Sequence, residues 1–85
     1  MKDEEAIALA FAEAKAAAER GEVPVGAVLA GADGTVLAKS GNRIVELRDA
    51  TAHAEMLVMR EAAARLGNER LIGTTLFVTL EPCAM

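Results

Sequence analysis

The sequence predicts a mixed α/β fold built as a single domain over residues 1–85, with elements in the order helix, β-hairpin, helix, strand. Three observations carry that expectation. Apolar residues recur at helical spacing in two segments, Asp-Gly sits between two apolar runs of strand length, and a β-rich run follows the second helical segment. The composition is globular, with 53% hydrophobic residues, but much of that is alanine. With two phenylalanines and neither tryptophan nor tyrosine, the core falls to valine, leucine, isoleucine and methionine. A chain of this size buries a modest share of its surface, so its stability is expected to be marginal without a metal, a partner or more chain.

The first helix is expected from about residue 3 to 20. Ile7, Phe11, Ala14 and Ala18 define its buried stripe, widened by Ala10 and Ala17. Asp3, Glu4 and Glu5 suit the positive end of the helix dipole, and Arg20-Gly21 supplies the stop. The apolar run Glu22 to Ala30 reads as the first strand, with Pro24 near its start because proline has no N–H to donate. Gly26 inside that strand points to a bulge or to something approaching the backbone closely, and a packing role is as plausible there as a ligand role. Gly31-Ala32-Asp33-Gly34 gives the turn, and Thr35 to Lys39 the second strand.

Ser40 to Asp49 is expected to leave the sheet as a polar loop, in which Asn42 reads as a turn residue. Thr51 to Leu66 is the second helix, capped by Thr51 or Asp49 and ended by Gly67-Asn68. Met56, Met59, Ala63 and Leu66 are its expected buried stripe, with Glu61 and Arg65 paired on the wet side. Gly73 to Leu80 is the third strand and runs into Glu81-Pro82-Cys83.

A right-handed crossover through the second helix makes strands two and three parallel, with strand one between them. Sites in such sheets form beyond the carboxyl ends of the parallel strands. The start of the second helix, with His53, and the segment after strand three, with Cys83, therefore belong at one rim.

The formal net charge of −4 argues against a nucleic-acid surface made from this segment alone. No apolar run is long enough to span a membrane, and Met1-Lys2-Asp3-Glu4-Glu5 is too acidic to open a signal peptide. A single cysteine makes no internal disulfide, so a reducing, cytoplasmic setting is expected.

The chemistry-bearing residues are the only histidine, His53, with Glu55 two residues on, and the only cysteine, Cys83, directly after a proline. Taken singly, each also fits a plain structural role: the histidine as a cap or half-buried ring, the cysteine as a small core residue. Taken together, imidazole and thiolate are zinc ligands, and a carboxylate beside them is placed to move protons for a metal-activated water. Pro82 suits the first turn of a following helix, whose dipole lowers a thiol's pKa. One geometric condition applies. Residues two apart on an ideal helix point about 200° apart, so His53 and Glu55 share a site only at the helix tip.

His53-Ala54-Glu55 followed by Pro82-Cys83 resembles the H-x-E and P-C-x-x-C signature of zinc nucleobase deaminases. Gly21 to Val28, Gly41-Asn42-Arg43, Thr51 to Met56, and Arg70-Leu71 through Val78 to Met85 extend the likeness over essentially the whole chain. Within that superfamily, Glu22-Val23-Pro24-Val25-Gly26-Ala27 and Val78 to Cys83 resemble the bacterial tRNA adenosine deaminases more than guanine or cytosine deaminases. The resemblance implies a three-layer cytidine-deaminase-like fold, present here in part. It implies His53 and Cys83 as zinc ligands, Glu55 as proton shuttle, and Asn42 and Val25 as substrate-binding residues at the base. It further implies hydrolytic conversion of the wobble adenosine of a tRNA anticodon loop to inosine, by a homodimer.

Two departures stand out. Asp49-Ala50 replaces the family's Asp-Pro, which changes loop stiffness beside the site. The signature's second cysteine has no counterpart up to Met85, so the chain is expected to be the N-terminal portion of a zinc deaminase domain, with little or no activity alone. A deaminase of free bases or nucleosides, and a non-catalytic fragment that needs a complementary chain, are the alternatives.

Overall fold

Small residues decide how the layers meet. In the computed structural model, which describes residues 3–67 and 73–79, helix α1 (Asp3–Glu19) lies across one face of a three-stranded sheet. The strands are β1 (Gly26–Ala30), β2 (Val36–Gly41) and β3 (Thr75–Val78), in the order β2-β1-β3. Strand β1 is antiparallel to both neighbours, so β2 and β3 run in the same direction, as the crossover rule expects. Helix α3 (Ala54–Leu66) packs on the opposite face, and a single turn, α2 (Ile44–Leu47), precedes it. Side chains alternate across β1. Val28 joins Ala6, Ala10 and Phe77 under α1, while Ala27 and Leu29 join Ala38, Val58 and Ala62 under α3.

Gly26 faces Gly41 directly across the β1–β2 ladder, and together they form a bed for α1. A Cβ on Gly26 would strike the carbonyl oxygen of Ala10 and stand 2.6 Å from the nitrogen of Ala14. A Cβ on Gly41 would lie 2.6 Å from the carbonyl oxygen of Glu13 and 2.8 Å from Cβ of Ala17. The helix backbone therefore rests almost on the strand backbone. Gly26 is a close-approach glycine and not a bulge; the register shift falls at Leu29 and Ala30.

That proximity corrects the expected stripe of α1. Ala6, Ala10, Ala14 and Ala17 are buried, whereas Ile7 and Phe11 remain 44% and 56% exposed and Ala18 is exposed. Only methyl-sized side chains fit beneath a helix this close to the sheet. The stripe of α3 is displaced in the same sense. Ala54, Val58 and Ala62 are buried; Met59 and Ala63 are half-buried; Met56 and Leu66 are exposed. Arg65 donates to the carbonyl of Leu37, tying the end of α3 to β2.

Local turn chemistry follows the sequence closely. Asp33 accepts from the N–H of Thr35 at 3.0 Å, and Gly34 takes the left-handed conformation at φ 83. Hydrogen bonds from Thr35 hold the Asp33 carboxyl below its ordinary value. Gly67, at φ 65, ends α3 with its N–H on the carbonyls of Ala63 and Ala64. The expected polar loop from Ser40 is corrected: β2 continues through Gly41, and Ile44–Leu47 makes the turn of α2. The expectations placed on Asn68, Arg70-Leu71 and Leu80 to Met85, Cys83 among them, fall outside the described residues.

Candidate active site

Asn42 is the residue on which three elements meet. It follows β2 directly and is 3% exposed. Its N–H donates to the carbonyl of Val25 at 3.1 Å, and its side-chain Oδ1 accepts from the N–H of Ala54 at 2.7 Å. The next residue, Arg43, donates its N–H to the carbonyl of Ala52 at 3.0 Å. The end of β2, the approach to β1 and the start of α3 are thereby joined. Asn42 is more than a turn residue: it satisfies a first-turn N–H of α3 that the helix itself leaves without a partner. The expected caps Thr51 and Asp49 bond each other instead, Asp49 accepting from the Thr51 N–H at 2.9 Å and its hydroxyl at 2.6 Å. The Thr51 hydroxyl, then its N–H, hold the Asp49 carboxyl below its ordinary value.

The Ala54 bond also fixes which way the Asn42 amide faces. An N–H donor requires the carbonyl oxygen on that side, so the NH2 faces away from Ala54. Among the described residues none accepts from it.

His53 and Glu55 flank Ala54. His53 is the N-cap of α3, with extended backbone (φ −70, ψ 148), and its exposed ring makes no hydrogen bond to a described residue. Because His53 stands outside the helix, the 200° separation of helical neighbours does not govern it. Glu55 is half-buried in the first turn. Val25 is half-buried and packs against the core beneath α3.

Strand β3 leaves the sheet at this same rim. Thr79 accepts from the N–H of Gly26 through Oγ1 at 2.9 Å and returns its own N–H to the Gly26 carbonyl at 2.9 Å. A continuous run of bonded residues thus links Thr79, Gly26, Val25, Asn42 and Ala54. Of the five site residues expected from the sequence, Val25 and Asn42 belong to that run, His53 and Glu55 flank its end at Ala54, and Cys83 lies beyond the described residues. Among the described residues no group of three His, Cys, Asp or Glu side chains is placed to hold a metal.

The family model for the cytidine and deoxycytidylate deaminase zinc-binding region matches residues 1–85. The chain belongs to this deaminase family. It is 61% identical over 77 residues to the tRNA-specific adenosine deaminase of Agrobacterium fabrum, covering 91% of this chain and 50% of that protein. The tRNA-specific adenosine deaminase of Aquifex aeolicus is 52% identical over 77 residues, with the same coverage of 91% and 50%. The chain spans about half the length of these curated relatives. Among solved structures, one from work on A-to-I editing by tRNA:A34 deaminases has a TM-score of 0.88 at 57% identity, covering 95% of this chain and 62% of that one. Guanine deaminase from Bacillus subtilis also gives 0.88, at 33% identity, covering 99% and 54%.

One buried residue next to Asn42 in the structure escaped the sequence reading. Glu22, taken there as the head of an apolar run, is 7% exposed and puts both carboxylate oxygens on the backbone of α2. Oε1 accepts from Val45 at 3.1 Å and Oε2 from Glu46 at 2.8 Å. Burial pushes the Glu22 carboxyl up, but these N–H groups and the nearby Arg20 charge outweigh it and hold the group below its ordinary value. Beside it, Arg20 donates Nη2 to the Asn42 carbonyl at 3.3 Å and pairs through Nε with Glu46 at 3.5 Å. The signal available in the sequence was an acid immediately before Val-Pro-Val, a position where burial is expected and a carboxylate needs a partner.

Proposed function

We propose that this chain contributes the His53, Glu55 and Asn42 side of a zinc-dependent deaminase that converts the wobble adenosine of a tRNA anticodon loop to inosine. The observation that carries the reading is the Asn42–Ala54 bond. With Oδ1 held by the Ala54 N–H, the amide NH2 is directed away from that bond at the helix start that carries His53 and Glu55, and a purine ring nitrogen would accept from it. The similarity to tRNA adenosine deaminases, at higher identity than to guanine deaminase, supports adenosine in tRNA as substrate.

The donor set fits zinc. His53 offers an exposed imidazole with no described hydrogen-bond partner, and a cysteine thiolate is its usual companion, so His53 and Cys83 would hold the metal. Bound zinc supplies Lewis acidity that lowers the pKa of water. Glu55 takes the proton of the attacking water and delivers it to the departing amine, so that the C6–N bond breaks, a C6–O bond forms and ammonia leaves. Val25, anchored through its carbonyl on Asn42, lines the base pocket. A homodimer is supported by the apolar Val45 and Leu47, which α2 leaves 66% and 49% exposed beside the site. A cytoplasmic setting is supported by the single cysteine. No described helix is long and apolar enough to cross a membrane.

Guanine deamination is the second reading, because an amide NH2 serves the ring nitrogens of either purine. A chimera separates the two: this chain replaces the segment of the Agrobacterium fabrum deaminase that it matches, and turnover is measured on an anticodon stem-loop and on free guanine. Inosine formation on the stem-loop with inert guanine is expected. Turnover of guanine alone would overturn the assignment.

A further inference from the structure

We propose that Glu22 is a positioning residue for Asn42, acting through the backbone of α2; the role rests on the reading of Asn42 as the base-binding residue. The segment from Asn42 to His53 is closed at its base by the bond from Arg43 N–H to the Ala52 carbonyl. Between those ends its one helical element is the four-residue α2, too short to hold a helical turn by itself. The residue at the N-cap position of α2, Arg43, makes no side-chain capping bond. Glu22 supplies what is missing, one carboxylate oxygen to each of Val45 and Glu46.

The two ends of the segment are held from the same short stretch of chain. Arg20 holds the Asn42 carbonyl at 3.3 Å, and Glu22 holds the N–H groups three and four residues further on. Arg20 and Arg43 also bracket Glu46, at 3.5 and 3.7 Å. With its carbonyl held by Arg20 and its N–H on Val25, Asn42 has its backbone fixed on both sides, and its amide is free only to rotate. The Ala54 N–H then removes that last freedom.

The arrangement specifically needs a carboxylate. Two N–H donors enter the site, so an amide of the same shape would set its own NH2 against one of them. Glu22→Gln therefore opens the clamp with almost no change in volume; α2 moves, and with it the Arg20–Glu46 pair and the Arg43–Ala52 closure through which Asn42 is held against Ala54.

The experiment has two arms. In the full 85-residue chain, amide hydrogen exchange is followed by NMR in native and Glu22→Gln forms. Protection at Val45, Glu46 and Ala54 is expected to fall about tenfold or more, while the amides of β1 keep theirs. In the chimera defined above, Glu22→Gln is expected to raise KM for the anticodon stem-loop about tenfold with kcat within about twofold, since Asn42 holds the base before and during reaction. Glu22→Asp, which keeps the charge, is expected to fall between. Unchanged exchange at Ala54, or an equal fall in kcat with KM unmoved, would overturn the proposal. So would unfolding of both variants, which would make Glu22 a residue of the fold alone. An inactive native chimera would count against the deaminase reading, and the exchange arm would still decide the clamp.

Discussion

Gly26→Ala is the substitution that bears hardest on the way α1 is seated. The new methyl would strike the carbonyl oxygen of Ala10, with the Ala14 nitrogen at 2.6 Å and the Ala10 carbonyl carbon at 2.9 Å. All three are backbone atoms of a helix, so no side chain can rotate away, and the helix must lift from the sheet as a body. Overpacking of this kind costs about 1–3 kcal/mol where side chains adjust, and the rigid neighbours place this site at about 3 kcal/mol or more. For a domain of this size that corresponds to a fall in Tm of roughly 12–24 °C. Gly67→Ala is the control: nothing lies within 4 Å of its added Cβ, and only the positive φ of 65 is strained. It is expected to cost about 1 kcal/mol. Urea and thermal unfolding followed by circular dichroism give both numbers. A Gly26→Ala chain within about 0.5 kcal/mol of the native one would refute the close backbone contact between α1 and β1.

Substitution at Asn42 separates its bond to α3 from its proposed contact with the base. Asn42→Ala leaves the Ala54 N–H without its acceptor and is expected to cost about 1–2 kcal/mol in urea unfolding. Asn42→Asp keeps an acceptor for Ala54 at a helix start, so stability stays within about 1 kcal/mol, while loss of the NH2 abolishes turnover in the chimera. The carboxyls of Glu22, Asp33 and Asp49 sit below their ordinary values of 4.5, 3.8 and 3.8 in the folded chain. The stability they contribute is thus complete above the unfolded values, and it is lost as pH falls through them toward the folded values. Urea midpoints measured across that range are expected to decline on acidification, and Glu22→Gln to flatten part of the decline. Val58→Ala empties a fully buried position and is expected to cost about 2 kcal/mol. Phe11→Lys, at a position 56% exposed, is expected to cost little and to reduce self-association in light scattering.

The parts of the fold that were legible in the sequence are those decided locally. The Asp33-Gly34 turn, the stops at Gly21 and Gly67, and the direction of β3 relative to β2 each follow from a few adjacent residues or from chain connectivity. Both helix faces were misjudged, and for α1 the sheet supplies the reason. Periodicity favours the largest apolar groups, Ile7 and Phe11 or Met56 and Leu66, whereas glycines on the sheet draw α1 so near that alanines fill its interface. A glycine in each of two paired strands, read against an alanine repeat in the helix, was the available signal. Helix α2 and the cap of α3 were missed because their partners are remote. Glu22 stabilises the first from 23 and 24 residues away, and Asn42 caps the second from 12. That His53 opens α3 shortly after the end of β2 was legible from chain order, while the companion expectation for Cys83 lies outside the described residues.

The division of labour between His53 and Glu55 is tested most directly by measuring zinc content and turnover together in the chimera. His53→Ala is expected to lose both zinc and inosine formation. Glu55→Gln is expected to keep zinc at the native stoichiometry and lose turnover by about a hundredfold or more. Full zinc in His53→Ala, or native turnover in Glu55→Gln, would contradict the assignment of ligand and proton carrier on either side of Ala54.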